Sequence, residues 1–201
     1  MPFRIVLTAP ATELSLYNNN PLMAFSAAFS RPPLLGHRLL RRLLYQPVPR
    51  KGVRVAFATY GLRKLEAKLI EAGFDPSELA IVHPDDLEEA VSSETRILGV
   101  SSNDPLGAGF VSTTYAAMCG FGEPMTAYEF RYLMQRVADL RRRYHFTVVV
   151  GGAGSWQLLR YPNPYRKHID CIVLGEGEGV IADLFSSILR GERPPPIIEA
   201  P

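Results

Sequence analysis

The sequence predicts a doubly wound α/β domain, a parallel five-stranded sheet with helices over both faces. Three observations predict it. Short apolar runs recur at 53–59, 79–83, 96–102, 146–152 and 169–175, each reading as a strand buried on both faces. Between them stand amphipathic stretches with apolar residues three and four apart. Finally, the composition is that of an ordinary globular protein: 201 residues, 47% hydrophobic, 22 Lys plus Arg against 20 Asp plus Glu, net charge +2. Such a chain can bury one good core, and it lacks the basic surplus of a dedicated nucleic-acid binder.

In chain order, "VRVAFAT" (53–59) is the expected first central strand. The helix after it carries Leu62, Leu65, Leu69 and Ile70 on one face and stops at Gly73. "LAIVH" (79–83) is the second strand, followed by a short helix with Pro84 at its first position. "RILGVSS" (96–102) is the third. A long helix follows much later; Thr126 and Glu129 match a capping box, and Phe130, Leu133, Met134, Val137 and Leu140 form its stripe. "FTVVVGG" and "IDCIVLG" are strands four and five. A last helix from about 178 to 190 buries Val180, Ile181, Leu184, Phe185 and Ile188, with Gly191 as its stop. Five such units suggest the flavodoxin-like strand order 2-1-3-4-5 over residues 53–192.

Two flanks complete the expected organisation. Residues 1–52 form an N-terminal extension with one possible strand, "FRIVLT", a turn at Asn18, Asn19 and Asn20, and the basic amphipathic "LLGHRLLRRLLY". That last element suits docking on the core, or contact with a membrane surface or a partner. Residues 193–201, "RPPPIIEAP", read as a Pro-rich linker outside the sheet. No apolar run is long enough to span a membrane, and the start does not read as a signal peptide. Cys119 and Cys171 are the only cysteines, too few for a disulfide framework, so a reducing, cytoplasmic setting is expected.

In an open parallel sheet, ligands sit at the carboxyl ends of the strands, so the loops there carry the functional question. After strand four comes Gly151-Gly152-Ala153-Gly154-Ser155, which permits tight packing or close approach of a ligand. It is neither a dinucleotide fingerprint nor a phosphate-binding P-loop. After strand five, "GEGEG" is a helix start with acids in its first turn, or a weak metal site at Glu176 and Glu178. The loop after strand three is oversized and carries Phe110, Tyr115, Met118, Phe121 and Met125, enough apolar surface to wall a large, flat ligand. Cys119 in that loop reads as a packing residue. His37, His83, His145 and His168 are scattered, and no catalytic constellation stands out. Arg141, Arg142 and Arg143 close a helix and read as a solvated face.

Taken together, "VVVGGAGSWQLL … IDCIVLGEGEG", "YGLRKLEAKLIEAGF", "GVSSNDPLGAGFVS" and "IVLTAPATELSLYNN" resemble the cobalamin-binding N-terminal domain of cobalamin-dependent radical S-adenosylmethionine proteins, over residues 3–192. The resemblance implies a corrin ring over the carboxyl edge of the sheet and a nucleotide tail threading beside it. Gly151, Gly152, Ala153, Gly154 and Ser155 would line the tail, with hydroxyls from Ser101 and Ser102. Tyr60, Gly61, Asp104, Pro105, Leu106 and Gly107 would sit near the corrin, and Gly175, Glu176, Gly177 and Glu178 would close the far side. It further implies base-off cobalamin acting as a methyl carrier for a methyltransferase, the cofactor supplying the chemistry.

Two departures from the family stand out. "ATYGLRK" lacks the histidine that other cobalamin proteins supply to cobalt, and no C-x-x-x-C-x-x-C motif is present. The iron-sulfur cluster and S-adenosylmethionine would belong to a radical domain in cis beyond residue 201 or in trans. The rival readings are a flavin- or nucleotide-binding flavodoxin-like domain, which "TYGLRK" serves poorly as a phosphate loop, and a non-catalytic receiver-like interaction domain, for which only Asp104 offers an acid.

Overall fold

Side-chain alternation on each strand separates two cores, one per face of a parallel sheet. In the computed structural model, which describes residues 3–30, 36–119 and 122–201, the sheet strands are β1 (Ile5–Thr8), β4 (Leu79–Ile81), β5 (Ile97–Ser101), β6 (Thr147–Gly151), β7 (Cys171–Leu174) and β8 (Ile197–Glu199), in the order β4-β1-β5-β6-β7-β8. All five pairings are parallel. A separate hairpin joins β2 (Arg50–Lys51) and β3 (Arg54–Val55). The helices are α1 (Pro21–Ala24), α2 (His37–Leu44), α3 (Tyr60–Glu71), α4 (Leu87–Ala90), α5 (Phe110–Cys119), α6 (Met125–Arg141), α7 (Gln157–Arg160) and α8 (Ile181–Leu189). This is the doubly wound, Rossmann/flavodoxin-like class expected from the pattern.

On one face Val6, Leu98, Val148, Val150 and Ile172 pack under Phe130, Leu133 and Val137 of α6 and Leu87 of α4. On the other, Ile5, Leu7, Ile97, Val149 and Val173 meet Leu62 and Leu69 of α3 and Leu184, Phe185 and Ile188 of α8. Each such side chain contributes about 1.5–3 kcal/mol of burial. α3 ends at Gly73 and α8 at Gly191, both left-handed, as glycine stops require.

The central strand is a correction. "FRIVLT" supplies β1, seated between β4 and β5, with Ile5, Val6, Leu7 and Thr8 all at most 2% exposed. Of "VRVAFAT", only Val55 is fully buried, Phe57 is 55% exposed, and the segment ends in the small hairpin. That hairpin guards the outer edge of the sheet: Arg54 donates to the carbonyls of Pro76, Ser77 and Leu79. A covered edge strand cannot recruit a foreign one. The expected linker is also a correction. Residues 197–199 extend the sheet beyond β7, with Ala200 N donating to Leu174 O at 2.8 Å. The divisions at 52 and 193 therefore fall inside one sheet.

Residues 9–30 and 36–59 build a cap joined to the main core by buried charge. Asn18 and Asn19 are left-handed, a conformation asparagine tolerates, and Tyr17 between Leu16 and them is held there by a 2.6 Å bond from its hydroxyl to Thr12 O. Leu40 and Arg41 of α2 turn inward, so the described part of the basic helix docks, while Leu39 and Leu43 remain exposed. Leu34 and Leu35 lie outside the described residues. Arg41 bridges Glu129 (2.5 Å) and Asp85, and Tyr45 donates to Glu129 at 2.8 Å. Burial opposes the Arg41 charge, but the two carboxylates outweigh it and hold its pKa up. Glu129 therefore closes no capping box; α6 starts at Pro124 without a side-chain cap.

Candidate functional site

The cleft lies at the carboxyl ends of β1, β5, β6 and β7, where a doubly wound sheet opens. It encloses about 640 Å³, within the usual range of small-molecule sites. Its floor descends the sheet face: Leu7, Gly99 and Val149 stand in register across three strands, with Phe185 of α8 beside them. Gly99 deepens the floor because no side chain fits there; a Cβ would fall 2.6 Å from Leu7 Cδ2. The first two turns of α3 form one wall through Tyr60, Lys64 and Leu65. The turns after β6 and β7 form the others.

Eleven of the expected site residues meet at this cleft: Tyr60, Gly61, Ser101, Gly151, Gly152, Ala153, Ser155, Gly175, Glu176, Gly177 and Glu178. Tyr60 and Gly61 reach it from the start of α3 and not from the end of the central strand. Ser102, Asp104, Pro105, Leu106, Gly107 and Gly154 do not line it. The first five build the loop between β5 and α5, and Gly154 stands in the turn after β6. The Asp104 carboxylate accepts from Gly109 N (2.8 Å), Ser112 Oγ (2.5 Å) and Gln157 Nε2 (2.7 Å), and Gln157 Oε1 accepts from Leu106 N at 2.9 Å. Pro105 is buried, Leu106 packs on the core, and Gly107 is left-handed where a Cβ would meet Pro124.

The glycines after β6 divide by role. At Gly152 and Gly154 a Cβ would strike the backbone of Ser102 and Asn103, at 2.7 and 2.4 Å. Reciprocal bonds tie the same turns together: Ser102 N to Gly151 O and Gly154 N to Ser102 O, both 3.0 Å. Loop-on-loop packing by itself requires both glycines; Gly152 also lines the cleft and Gly154 does not. Gly151 differs. It has ordinary backbone angles, and a Cβ would have only van der Waals contact with Val173 at 3.7 Å. Gly175 is left-handed and takes the Ala200 carbonyl against it, so β8 supports the far wall.

Charge in the cleft is sparse. Lys64 Nζ pairs with Glu178, with Glu176 at 3.8 Å, across the mouth between α3 and the turn after β7. Among the described residues these are the only charged ones in the lining, one cation to two carboxylates. Among the described residues no group of His, Cys, Asp and Glu is arranged to hold a metal ion. Cys171 is buried, which pushes its thiol up to about 11 and leaves it inert.

The chain matches no known protein family, curated protein or solved structure. The site therefore stands on its own geometry. Among the described residues no helix is long and apolar enough to cross a membrane.

Sequence reasoning missed Lys64, Leu65, Asn103 and Trp156 of the cleft lining, and Glu13, which holds Asn103 from outside it. The first two sit one helical turn beyond Tyr60 and Gly61, and that spacing was available as a signal. Glu13 follows the true central strand and had none. Its carboxylate accepts from Asn103 N at 2.8 Å. Burial of the carboxyl group, with Asp104 nearby, pushes its pKa up to about 7 against the pull of the Asn103 N–H and Ser102. The oversized third loop contains α5, which leaves Phe110 and Met118 exposed at 85% and 75%. Tyr115 stacks edge-on against Phe29, with ring centroids 4.5 Å apart. Phe121 and the side chain of Cys119 lie outside the described residues.

Proposed function

We propose that this chain binds cobalamin base-off, as the cofactor-holding module of a radical S-adenosylmethionine enzyme. The observation that carries the reading is the lining of the cleft. It is a mostly apolar recess between α3, α8 and the sheet, opening at an edge where Tyr60 and Trp156 are exposed. A nucleotide tail would enter the recess while a broad ring would stay outside on the edge. Gly151, Ala153 and Gly177 would border the tail, Ser101 and Ser155 would offer it hydroxyls, and Tyr60 with Trp156 would face the ring.

The charge balance supports this ligand over its rivals. A nucleoside polyphosphate brings several negative charges that favour an unspent cation, whereas Lys64 is already bound to Glu178. Cobalamin carries one phosphodiester and a cationic cobalt, which a slightly acidic mouth suits. A receiver-like role is not supported either, because Asp104 is consumed within its own loop. Neither the segment after β1 nor the start of α3 contains a histidine, so the chain offers no imidazole to cobalt there.

When bound, the cofactor would supply methyl-group carriage. This chain's own residues would exclude water from the tail and hold the ring at the edge. The radical domain, with S-adenosylmethionine and its cluster, would act in cis beyond residue 201 or in trans. The test is titration of the purified chain with hydroxocobalamin, reading the visible spectrum after free ligand is removed. Retained corrin absorbance with a base-off band supports the reading. Retention of flavin mononucleotide with no retention of cobalamin overturns it, as does retention of neither at well above micromolar ligand.

A further inference from the structure

The strand ends opposite the cleft hold a recess that the cofactor reading leaves unused. The segments leading into β6, β7 and β8 frame a cavity of about 740 Å³. A second of about 410 Å³ adjoins it and shares Arg141, Phe146, Thr147 and Ile188. The walls carry Arg96, Arg141, Arg166, Lys167 and Arg193 against Asp170 and Glu192. Five cations to two carboxylates leave a surplus of three, while the whole chain has a net charge of only +2. The rest of the molecule therefore sums to −1, and the recess is a local concentration of positive charge.

Helix ends account for part of the charge. Arg141, Arg142 and Arg143 close α6, and Arg190 closes α8, where cations face the negative ends of helix dipoles. Arg142, Arg143 and Arg190 are also paired, with Asp139, Glu88 and Glu192. Neither explanation covers Arg96, Arg166, Lys167 or Arg193. They lie outside the α-helices, and among the described residues no carboxylate pairs with them.

Two guanidinium groups are already oriented. Arg141 Nη1 donates to His168 O at 3.0 Å and Nη2 to Asp170 Oδ1 at 3.1 Å. Arg166 Nη1 donates to Ile169 O at 2.8 Å. The local field is positive: burial first, then the charges of Lys167, Arg141 and Arg142, lower the pKa of His168. Phe146, Ile169 and Ile188 give the recess an apolar floor. Arg96, Arg166, Lys167 and Arg193, none of them paired with a carboxylate among the described residues, repel one another, and a multiply charged anion would relieve that repulsion.

We propose that this recess binds a small polyphosphate, a ligand with two or more phosphoryl charges, gripped by Arg166, Lys167 and Arg193 beside the fixed Arg141. Arginine forks match phosphoryl oxygens in pairs, which lysine alone does not. The unpaired cations line one recess and its adjoining pocket, so a small anion suits them better than a nucleic acid. Because the recess is at the opposite strand ends, such a ligand leaves the cleft free.

The test titrates the full chain with inorganic pyrophosphate and with ATP at low salt, by calorimetry and by amide chemical shifts. One-to-one binding is expected, with shifts confined to 96, 145–147, 166–170 and 191–196. R166E/K167E should lose about tenfold or more in affinity with an unchanged circular dichroism spectrum, and R142E/R143E, outside the walls, less than about twofold. No saturable binding of either probe overturns the proposal. So does an equal loss in both variants, which would mark a diffuse field, or binding that grows with the length of an RNA oligonucleotide. Binding of hydroxocobalamin in the cleft is read separately, so either reading can fail alone.

Discussion

Gly152 lies backbone to backbone against Ser102, so closely that a Cβ on Gly152 would fall 2.7 Å from the Ser102 carbonyl oxygen and 2.8 Å from its nitrogen. Its φ of +96° adds a second demand for glycine. Gly152→Ala is expected to cost about 2–3 kcal/mol in urea denaturation, whatever the ligand. Stability equal to the parent would show that the two turns can part freely.

Gly151 is the position at which the cleft can be filled without that cost. Gly151→Leu should keep the fold within about 1 kcal/mol, since only ordinary contacts surround a Cβ there. If the tail runs past this residue, retention of hydroxocobalamin should drop at least about tenfold. Undiminished retention by a well-folded variant would remove Gly151 from the site.

The cap depends on a buried charge cluster. Glu129→Leu alone leaves the buried Arg41 with Asp85 only and Tyr45 without its acceptor, and a loss of about 3–5 kcal/mol is expected. The double replacement Arg41→Met with Glu129→Leu should recover most of it, because two desolvated charges leave together. A double variant as unstable as the single one would place the cost in packing.

Two buried groups set opposing pH dependences. His83 accepts at Nδ1 from Asp85 N and faces Arg50 Nη2, both at 3.2 Å, a geometry for the neutral ring. Burial first, with Arg41 and Arg50 added and Asp85 opposing, lowers its pKa from 6.5 to about 4. A depressed folded pKa means that its contribution is complete above 6.5 and fades as pH falls toward 4. Glu13 runs the other way: its folded pKa is raised from 4.5 to about 7, so stability fades as pH rises across that window. Denaturation midpoints of the parent should therefore vary little from pH 4.5 to 6.5. Glu13→Gln should rise with pH, and His83→Gln should fall. Identical slopes in all three would refute the assignment.

β8 is expected to protect the strand beside it. Ile198 pairs with Val173, and Ala200 N bonds to Leu174 O. Ile198→Pro inserts a residue without a ladder N–H, and hydrogen exchange at 172–174 should accelerate. Unchanged protection would mean that the C-terminal strand is dispensable to the sheet.

Much of this was legible locally. The helix stops at Gly73 and Gly191, the stripe of α6 and four of the five expected strands all follow from spacing and turn chemistry. Eleven residues of the cleft followed as well, because loops at strand ends converge in this class of fold. Asp104 did not: it looks like a ligand-facing residue in a linear reading, and the loop uses it, with Gln157, for itself.

The chain's pattern of apolar runs and amphipathic helices by itself determined a doubly wound α/β protein, since only a sheet covered on both faces buries such runs. Tertiary structure decided which run became central. "FRIVLT" and "VRVAFAT" are alike locally, but only the first can bury Ile5 and Leu7 on one face and Val6 on the other, between β4 and β5. It also decided that Gly152 and Gly154 answer to Ser102 and Asn103, and that residues 197–199 join the sheet. Parallel pairing and backbone-to-backbone contact join residues far apart in the chain, and no local pattern encodes them.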